Sequence, residues 1–153
     1  MNILMIEDDN YKAASLEEFL LGRVPGAQIT FAPSLVDAIE AIEVSLYSLV
    51  LIDMAIPSHP IIPGEGSPMS LLAGGLEVLM EIQSLGRHDP CVIITQYPEI
   101  EISGIYYSLA DSREQLKLEL GCKVLDCIEY SEGSDKWKLA LGEVLKTYEN
   151  ISS

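Results

Sequence analysis

The chain has 153 residues and carries 9 Lys and Arg against 24 Asp and Glu, a net charge of −15. Hydrophobic residues make up 48% and charged residues 22%, a balance that predicts a globular fold with a substantial core rather than disorder. So negative a chain speaks against nucleic acid and anionic membrane as docking surfaces, and suits a cation or a basic protein patch. No apolar run approaches the length of a membrane span, and no charged, apolar leader precedes the first acidic residues. The three cysteines, Cys91, Cys122 and Cys127, lack metal-ligand spacing and read as reduced thiols of a cytoplasmic protein. One domain over residues 1–153 is the expectation.

Residues 2–6 form a short apolar strand that ends in Glu7-Asp8-Asp9. Asp9 or Asn10 caps the helix that follows, whose apolar face holds Ala13, Leu16, Phe19 and Leu20 before Gly22 and Pro25 close it. Residues 27–31 read as a second strand. Ser34 with Asp37 makes a capping box for a second helix with Leu35, Ala38, Ile39 and Ile42 on its buried stripe. Residues 49–53 follow, four consecutive apolar residues stopped by Asp53, the pattern of a fully buried central strand. Pro57, Pro60, Pro63 and Pro68 break up the long segment 55–73.

Gly74-Gly75 opens a third helix in which Leu76, Leu79, Met80 and Gln83 share a face. Cys91 to Thr95 is a fourth buried strand, ending in a hydroxyl. Residues 97–111 show no assignable period. Ser112 with Gln115 is taken as the cap of a short helix that stops at Gly121, and residues 123–130 as a fifth strand. Ser134 starts a last helix that turns Trp137, Leu141, Val144 and Tyr148 toward the sheet. Strands alternating with helices specify an α/β architecture, a parallel sheet covered on both faces.

Three strands thus carry polar groups at their carboxyl edge: Glu7 and Asp8, Asp53, and Thr95. In an open α/β sheet that edge is where ligands bind. Clustered carboxylates repel one another unless a cation sits between them, and oxygen donors of this kind suit Mg²⁺. A cation beside a carboxylate oxygen is the arrangement that accepts a phosphoryl group. A solvated acidic rim without a ligand is the plain alternative.

Residues 3–9 (Ile-Leu-Met-Ile-Glu-Asp-Asp), 53–57 (Asp-Met-Ala-Ile-Pro), 75–79 (Gly-Leu-Glu-Val-Leu) and Ile94-Thr95 together resemble the signature segments of response-regulator receiver domains. The resemblance runs in the right order over nearly the whole chain. It implies the flavodoxin-like (CheY-like) fold, a three-layer α/β/α sandwich around a five-stranded parallel sheet. It also implies that Asp53 is the phosphoacceptor and that Glu7 and Asp8 hold Mg²⁺, with Asp9 just after the pair. The backbone carbonyl of Ala55 would complete the metal site with Asp53, and Thr95 would contact the phosphoryl group. The partners so implied are a sensor histidine kinase or phosphotransfer protein and a downstream effector protein. The chain would be a signalling module in a two-component phosphorelay, not an enzyme, with no nucleic acid and no membrane.

The chain departs from the family pattern in several places. The family's lysine at the end of the fifth strand falls on Ile128 or Tyr130, depending on whether one counts from Gly121 or from the last helix; neither is basic, and Lys123 lies at the wrong end. The switch aromatic falls on Leu125 or Cys127, and Gln96 stands where a small residue is usual. More than a dozen residues are inserted between Pro57 and Gly75, including Ile61, Ile62, Met69, Leu71 and Leu72, a lid or a partner patch. The stretch from Thr95 to Gly121 is also long. Losing the lysine removes a charge-assisted hydrogen bond of about 1.5–3 kcal/mol, which predicts weaker phosphoryl acceptance. A degenerate receiver that binds proteins without phosphate is the alternative. A dehalogenase-type phosphatase would want a second acid two residues after its nucleophile, and Ala55 stands there. His59 and His88 read as loop and turn residues.

Overall fold

The computed structural model describes residues 1–59, 70–71 and 74–152, and of Ser70, Leu71 and residues 148–152 the backbone alone. In chain order the elements are β1 (Asn2–Ile6), α1 (Asn10–Arg23), β2 (Gln28–Ala32), α2 (Leu35–Val44), β3 (Leu49–Ile52), β4 (Ile56–Pro57), β5 (Ser70–Leu71), α3 (Gly74–Ser84), β6 (Cys91–Thr95), β7 (Glu99–Ile102), β8 (Ile105–Ser108), α4 (Leu109–Leu120), β9 (Asp126–Glu129) and α5 (Lys136–Ser152). Five strands pair in the order β2-β1-β3-β6-β9, all parallel. This is the flavodoxin-like order, whose winding reverses between β1 and β3.

Parallel strands buried on both faces send alternate side chains into two cores. Leu4, Ile6, Val50, Ile52 and Ile93 pack with Ala38 and Ile42 of α2, Val78, Leu79 and Ile82 of α3, and Leu116 of α4. Ile3, Met5, Leu49, Leu51, Val92 and Ile94 pack on the other face with Leu16 and Leu20 of α1 and Trp137, Leu141, Val144 and Leu145 of α5. The register pairs Ile6 with Ile52 and Ile52 with Ile93. β1 and β3 therefore end level, which sets Glu7 beside Asp53, while β6 runs two residues past them to Thr95.

Asp9 caps α1 by accepting the Tyr11 and Lys12 N–H groups at 2.9 and 3.2 Å. Ser34 caps α2 as its capping-box spacing predicts. The fourth helix is capped four residues before the predicted position. Its N-cap is Ser108, which accepts the Asp111 N–H, while Ser112 is buried inside α4 and donates to the Ser108 carbonyl at 2.7 Å. The stretch 97–111 holds an antiparallel hairpin, β7 with β8, turned by Ser103 and Gly104, both with positive φ. Ile100 and Ile102 of β7 enter the core, whereas Ile105 and Tyr106 of β8 are exposed. Met80 is exposed as well, and Val78 and Ile82 take its place on the buried face of α3. Tyr148, Ile61, Ile62, Met69 and Leu72 lie outside the described side chains; the backbone of Leu71 pairs with Ile56.

At the opposite rim Arg87 ties the loop before β6 to the end of α2. Its guanidinium grips Asp89 at 2.9 and 2.6 Å and donates to the carbonyls of Ile42 and Ser45. Burial works to raise the Asp89 carboxyl, but Arg87 and the Tyr47 N–H outweigh it and hold the group below its usual range. At the other rim α3 begins pressed against the β3 terminus. A Cβ on Gly75 would lie 2.7 Å from the Asp53 carbonyl and 3.0 Å from the Met54 Cα, backbone atoms that do not yield. Gly75→Ala is expected to destabilise the protein by about 1–3 kcal/mol in urea unfolding. Gly22→Ala, in α1 with nothing within 4 Å of the added methyl, is expected to stabilise it by about 0.4–1 kcal/mol.

Candidate functional site

The level ends of β1 and β3 and the reversal of winding between them converge on one rim, and the acids lie there. Glu7 N–H donates to the Ala32 carbonyl at 3.2 Å and Asp53 N–H to the Ile6 carbonyl at 3.0 Å, so both residues extend the ladders by one step. Glu7 and Asp53 are buried, at 4% and 3% exposure, while Asp8 faces solvent. Each of the three offers a carboxylate oxygen, and these oxygens lie within 4.8 Å of one another. Thr95 is fully buried at the end of β6, where its Oγ1 accepts the Tyr97 N–H at 3.3 Å. Ala55 is buried in the turn between β3 and β4. Gln96 is exposed and reaches over the rim to Asp9 at 3.5 Å.

The pocket also holds a cation that the sequence reading did not place there. Lys12, in the first turn of α1, is fully buried. Its ammonium stands 2.6 Å from Glu7 Oε1 and 3.4 Å from Asp53 Oδ1, and donates to the Ile94 carbonyl at 2.8 Å. The ring of Tyr130, just beyond β9, lies 5.6 Å away, and Tyr130 leans in turn on Trp137 with ring centres 5.2 Å apart. The end of β9 thus presents an aromatic ring, and the site's ammonium arrives from the first helix. The signal was present in the sequence: Lys12 falls at i, i+4 and i+8 with Leu16 and Leu20, so a lysine occupies the buried stripe of α1.

With all groups ionised, three carboxylates face one ammonium, an excess of negative charge in a site of oxygen donors. Burial pushes the Glu7 carboxyl up to about 7 against the pull of Lys12, and the nearby Asp53 adds to the rise. Burial also raises Asp8. Such a group is a reservoir for a proton or a divalent cation. Burial pushes the Cys91 and Cys127 thiols up to about 12, away from the thiolate form, and raises Cys122 as well. His59 and His88 are exposed.

Fold and pocket define a class, a doubly wound parallel sheet with an acidic cluster at its switch point. The chain is 33% identical over 148 residues to the Detocs response regulatory protein DtcB of Vibrio alginolyticus, covering 95% of this chain and 99% of that protein. The protein accordingly belongs to the response-regulator receiver (CheY-like) family. No family model matches. Among solved structures, the receiver domain of a Pseudomonas aeruginosa sensor histidine kinase, with magnesium coordinated in its active-site cleft, superposes with a TM-score of 0.58 at 18% identity, covering 99% of this chain and 98% of that one. The phosphorylated cyanobacterial phytochrome response regulator RcpA does so with a TM-score of 0.64 at 17% identity, over 99% and 96%.

The raised Glu7 carboxyl has a consequence for stability. Between about pH 4.5 and 7 the folded protein holds a proton on Glu7 that the unfolded chain has released. That contribution to stability is complete below the unfolded value and is lost as pH rises through 7. In metal-free buffer, the unfolding free energy of Glu7→Gln relative to wild type is therefore expected to increase as pH climbs across this window. Denaturant titrations at several pH values check it, and a flat difference would contradict it.

Proposed function

We propose that Asp53 accepts a phosphoryl group from a phosphohistidine of a sensor kinase or phosphotransfer protein, with Mg²⁺ held by Glu7, Asp8, Asp53 and the backbone carbonyl of Ala55. The observation that carries this reading is the convergence of three carboxylate oxygens within 4.8 Å around a buried aspartate at the sheet's switch point. The donor set fits Mg²⁺: it is all oxygen, negatively charged in excess, and half open to water through Asp8. When bound, the ion would offset charge on the transferring phosphoryl group.

In the transfer an Asp53 carboxylate oxygen attacks phosphorus, an O–P bond forms, and the P–N bond to the donor histidine breaks. The imidazole leaves as the neutral ring after taking up a proton. Thr95, whose oxygen already accepts the Tyr97 N–H, has its hydroxyl proton to donate toward a phosphoryl oxygen. Because the acceptor is itself the modified group, the chain acts as a signalling module rather than as a turnover enzyme. Its effect passes to a downstream effector protein, and the β7–β8 hairpin next to Thr95, with Ile105 and Tyr106 exposed, is the surface suited to it. Three cysteines without a disulfide accord with a reducing cytoplasmic compartment, and no helix among the described residues is long and apolar enough to cross a membrane. A receiver that binds partners without phosphate is the second reading, favoured by Tyr130 at the strand end.

Incubation with acetyl phosphate and Mg²⁺ is expected to add one phosphoryl mass to the intact protein. Asp53→Asn and an EDTA-treated sample are expected to add none, and Thr95→Ala to label slowly. No adduct on the wild type would sink this reading in favour of the phosphate-independent one. Since Glu7 must shed its proton to serve a cation, Mg²⁺ affinity is expected to rise with pH through about 7. Calorimetry in buffers of different ionisation heat should register the released proton.

A further inference from the structure

We propose that Lys12 is the residue whose charge neutralises the phosphoryl group on Asp53, a role that α1 supplies in this chain and that rests on the acceptor reading above. The placement of its ammonium carries the inference. The six fully or nearly buried polar side chains among the described residues are Glu7, Lys12, Ser34, Asp53, Thr95 and Ser112, and Lys12 is the one cation in that set. Its partners belong to the ends of three adjacent strands: Glu7 after β1, Asp53 after β3 and the Ile94 carbonyl in β6.

Glu7 at 2.6 Å is the ammonium's nearer partner, and Asp53 is the second carboxylate that faces it. Asp53 Oδ1 stands at 3.4 Å, too far for a good hydrogen bond yet close enough for a small rotation of the lysine to reach it or a group attached to it. Converting the carboxylate to an acyl phosphate replaces one negative charge by about two on the oxygens nearest that ammonium. The first turn of a helix is also the wrong end for a lysine, because the helix dipole is positive there. Its burial there has to be offset by anions in the pocket, and a phosphorylated Asp53 is a better one than the carboxylate. Tyr130 and Trp137 close the remaining side with rings, so no other cation is brought in from β9.

Moving the ammonium toward a phosphoryl group draws on its bond to the Ile94 carbonyl. Ile94 is followed directly by Thr95, so the same residue links the acceptor to β6 and the hairpin beyond it.

The test compares wild type, Lys12→Met and the double variant Lys12→Met/Tyr130→Lys, which returns a lysine from the end of β9. Mg²⁺ affinity is read by calorimetry, and the labelling rate by intact mass with acetyl phosphate at saturating Mg²⁺. Lys12→Met is expected to bind Mg²⁺ at least as tightly, since a competing cation has gone. It is expected to label roughly tenfold or more slowly, the loss of one charge-assisted hydrogen bond. The double variant is expected to regain part of the rate. Opposite movements of the two readouts cannot come from a damaged fold, which would weaken both. Labelling of Lys12→Met at the wild-type rate would overturn the proposal while leaving Asp53 as acceptor. So would a parallel loss of Mg²⁺ binding and labelling that Tyr130→Lys does not repair. Should Lys12→Met fail to fold, labelling of the double variant decides, its presence supporting the role and its absence removing it. A wild type that takes no phosphate at all removes the acceptor reading, and this proposal with it.

Discussion

Burying an ammonium and two carboxylates together is tolerated only when each charge faces its opposite, because taking even one such ion out of water costs several kcal/mol. Lys12, Glu7 and Asp53 satisfy that condition as a set, and neighbouring parts of the fold hold them to it. Asp9 caps α1 through the Tyr11 and Lys12 amides, so one residue both starts the helix and fixes where the lysine emerges. Leu16 and Leu20 continue the lysine's stripe into the core beneath the sheet. The level endings of β1 and β3, and the register that sets Ile93 of β6 beside Ile52, bring Glu7, Asp53 and the Ile94 carbonyl within reach of a single ammonium.

That ion cluster also sets the character of the pocket. One ammonium against three carboxylates leaves the site short of positive charge, and burial answers by raising Glu7. Two families of events could relieve the shortage, protonation and the arrival of a cation, and they compete for the same oxygens. The rim around the pocket is built from segments of a different kind. Gly75 lets α3 press on the Asp53 backbone, Gln96 spans to Asp9, and the β7–β8 hairpin raises exposed Ile105 and Tyr106 beyond Thr95. The acidic floor and the rim around it are thus built from separate segments of the chain.

Several features of the fold were readable because they are local. The run 49–52 needs both faces buried, whatever surrounds it, and Ser34 with Asp37 caps a helix within four residues. The hairpin was equally local: Glu99-Ile100-Glu101-Ile102 alternates, Ser103-Gly104 turns, and β8 returns. It went unread because β8 buries little and breaks the alternation on its own side. The cap at Ser112 was mistaken for a related reason. Two serines four residues apart each precede a residue suited to a capping box, and which one caps depends on where β8 ends. Met80 against Val78 and Ile82 is a question of which face meets the sheet, and helical spacing leaves that open by one position.

Apart from the receiver family, which came from the resemblance of its signature segments, the sequence by itself determined the alternation of strand and helix, the acidic strand ends Glu7, Asp8 and Asp53, and the hydroxyl of Thr95. Each follows from period, capping and residue type over a few neighbouring positions. The tertiary structure alone decided that the pocket's ammonium comes from Lys12. A lysine five residues from Glu7 and forty-one from Asp53 in the numbering meets both only after β1, β3 and β6 pair in parallel and α1 crosses above them. Charge pairing across strand ends is a matter of distances in space, and spacing along the chain carries no record of them until the sheet has formed.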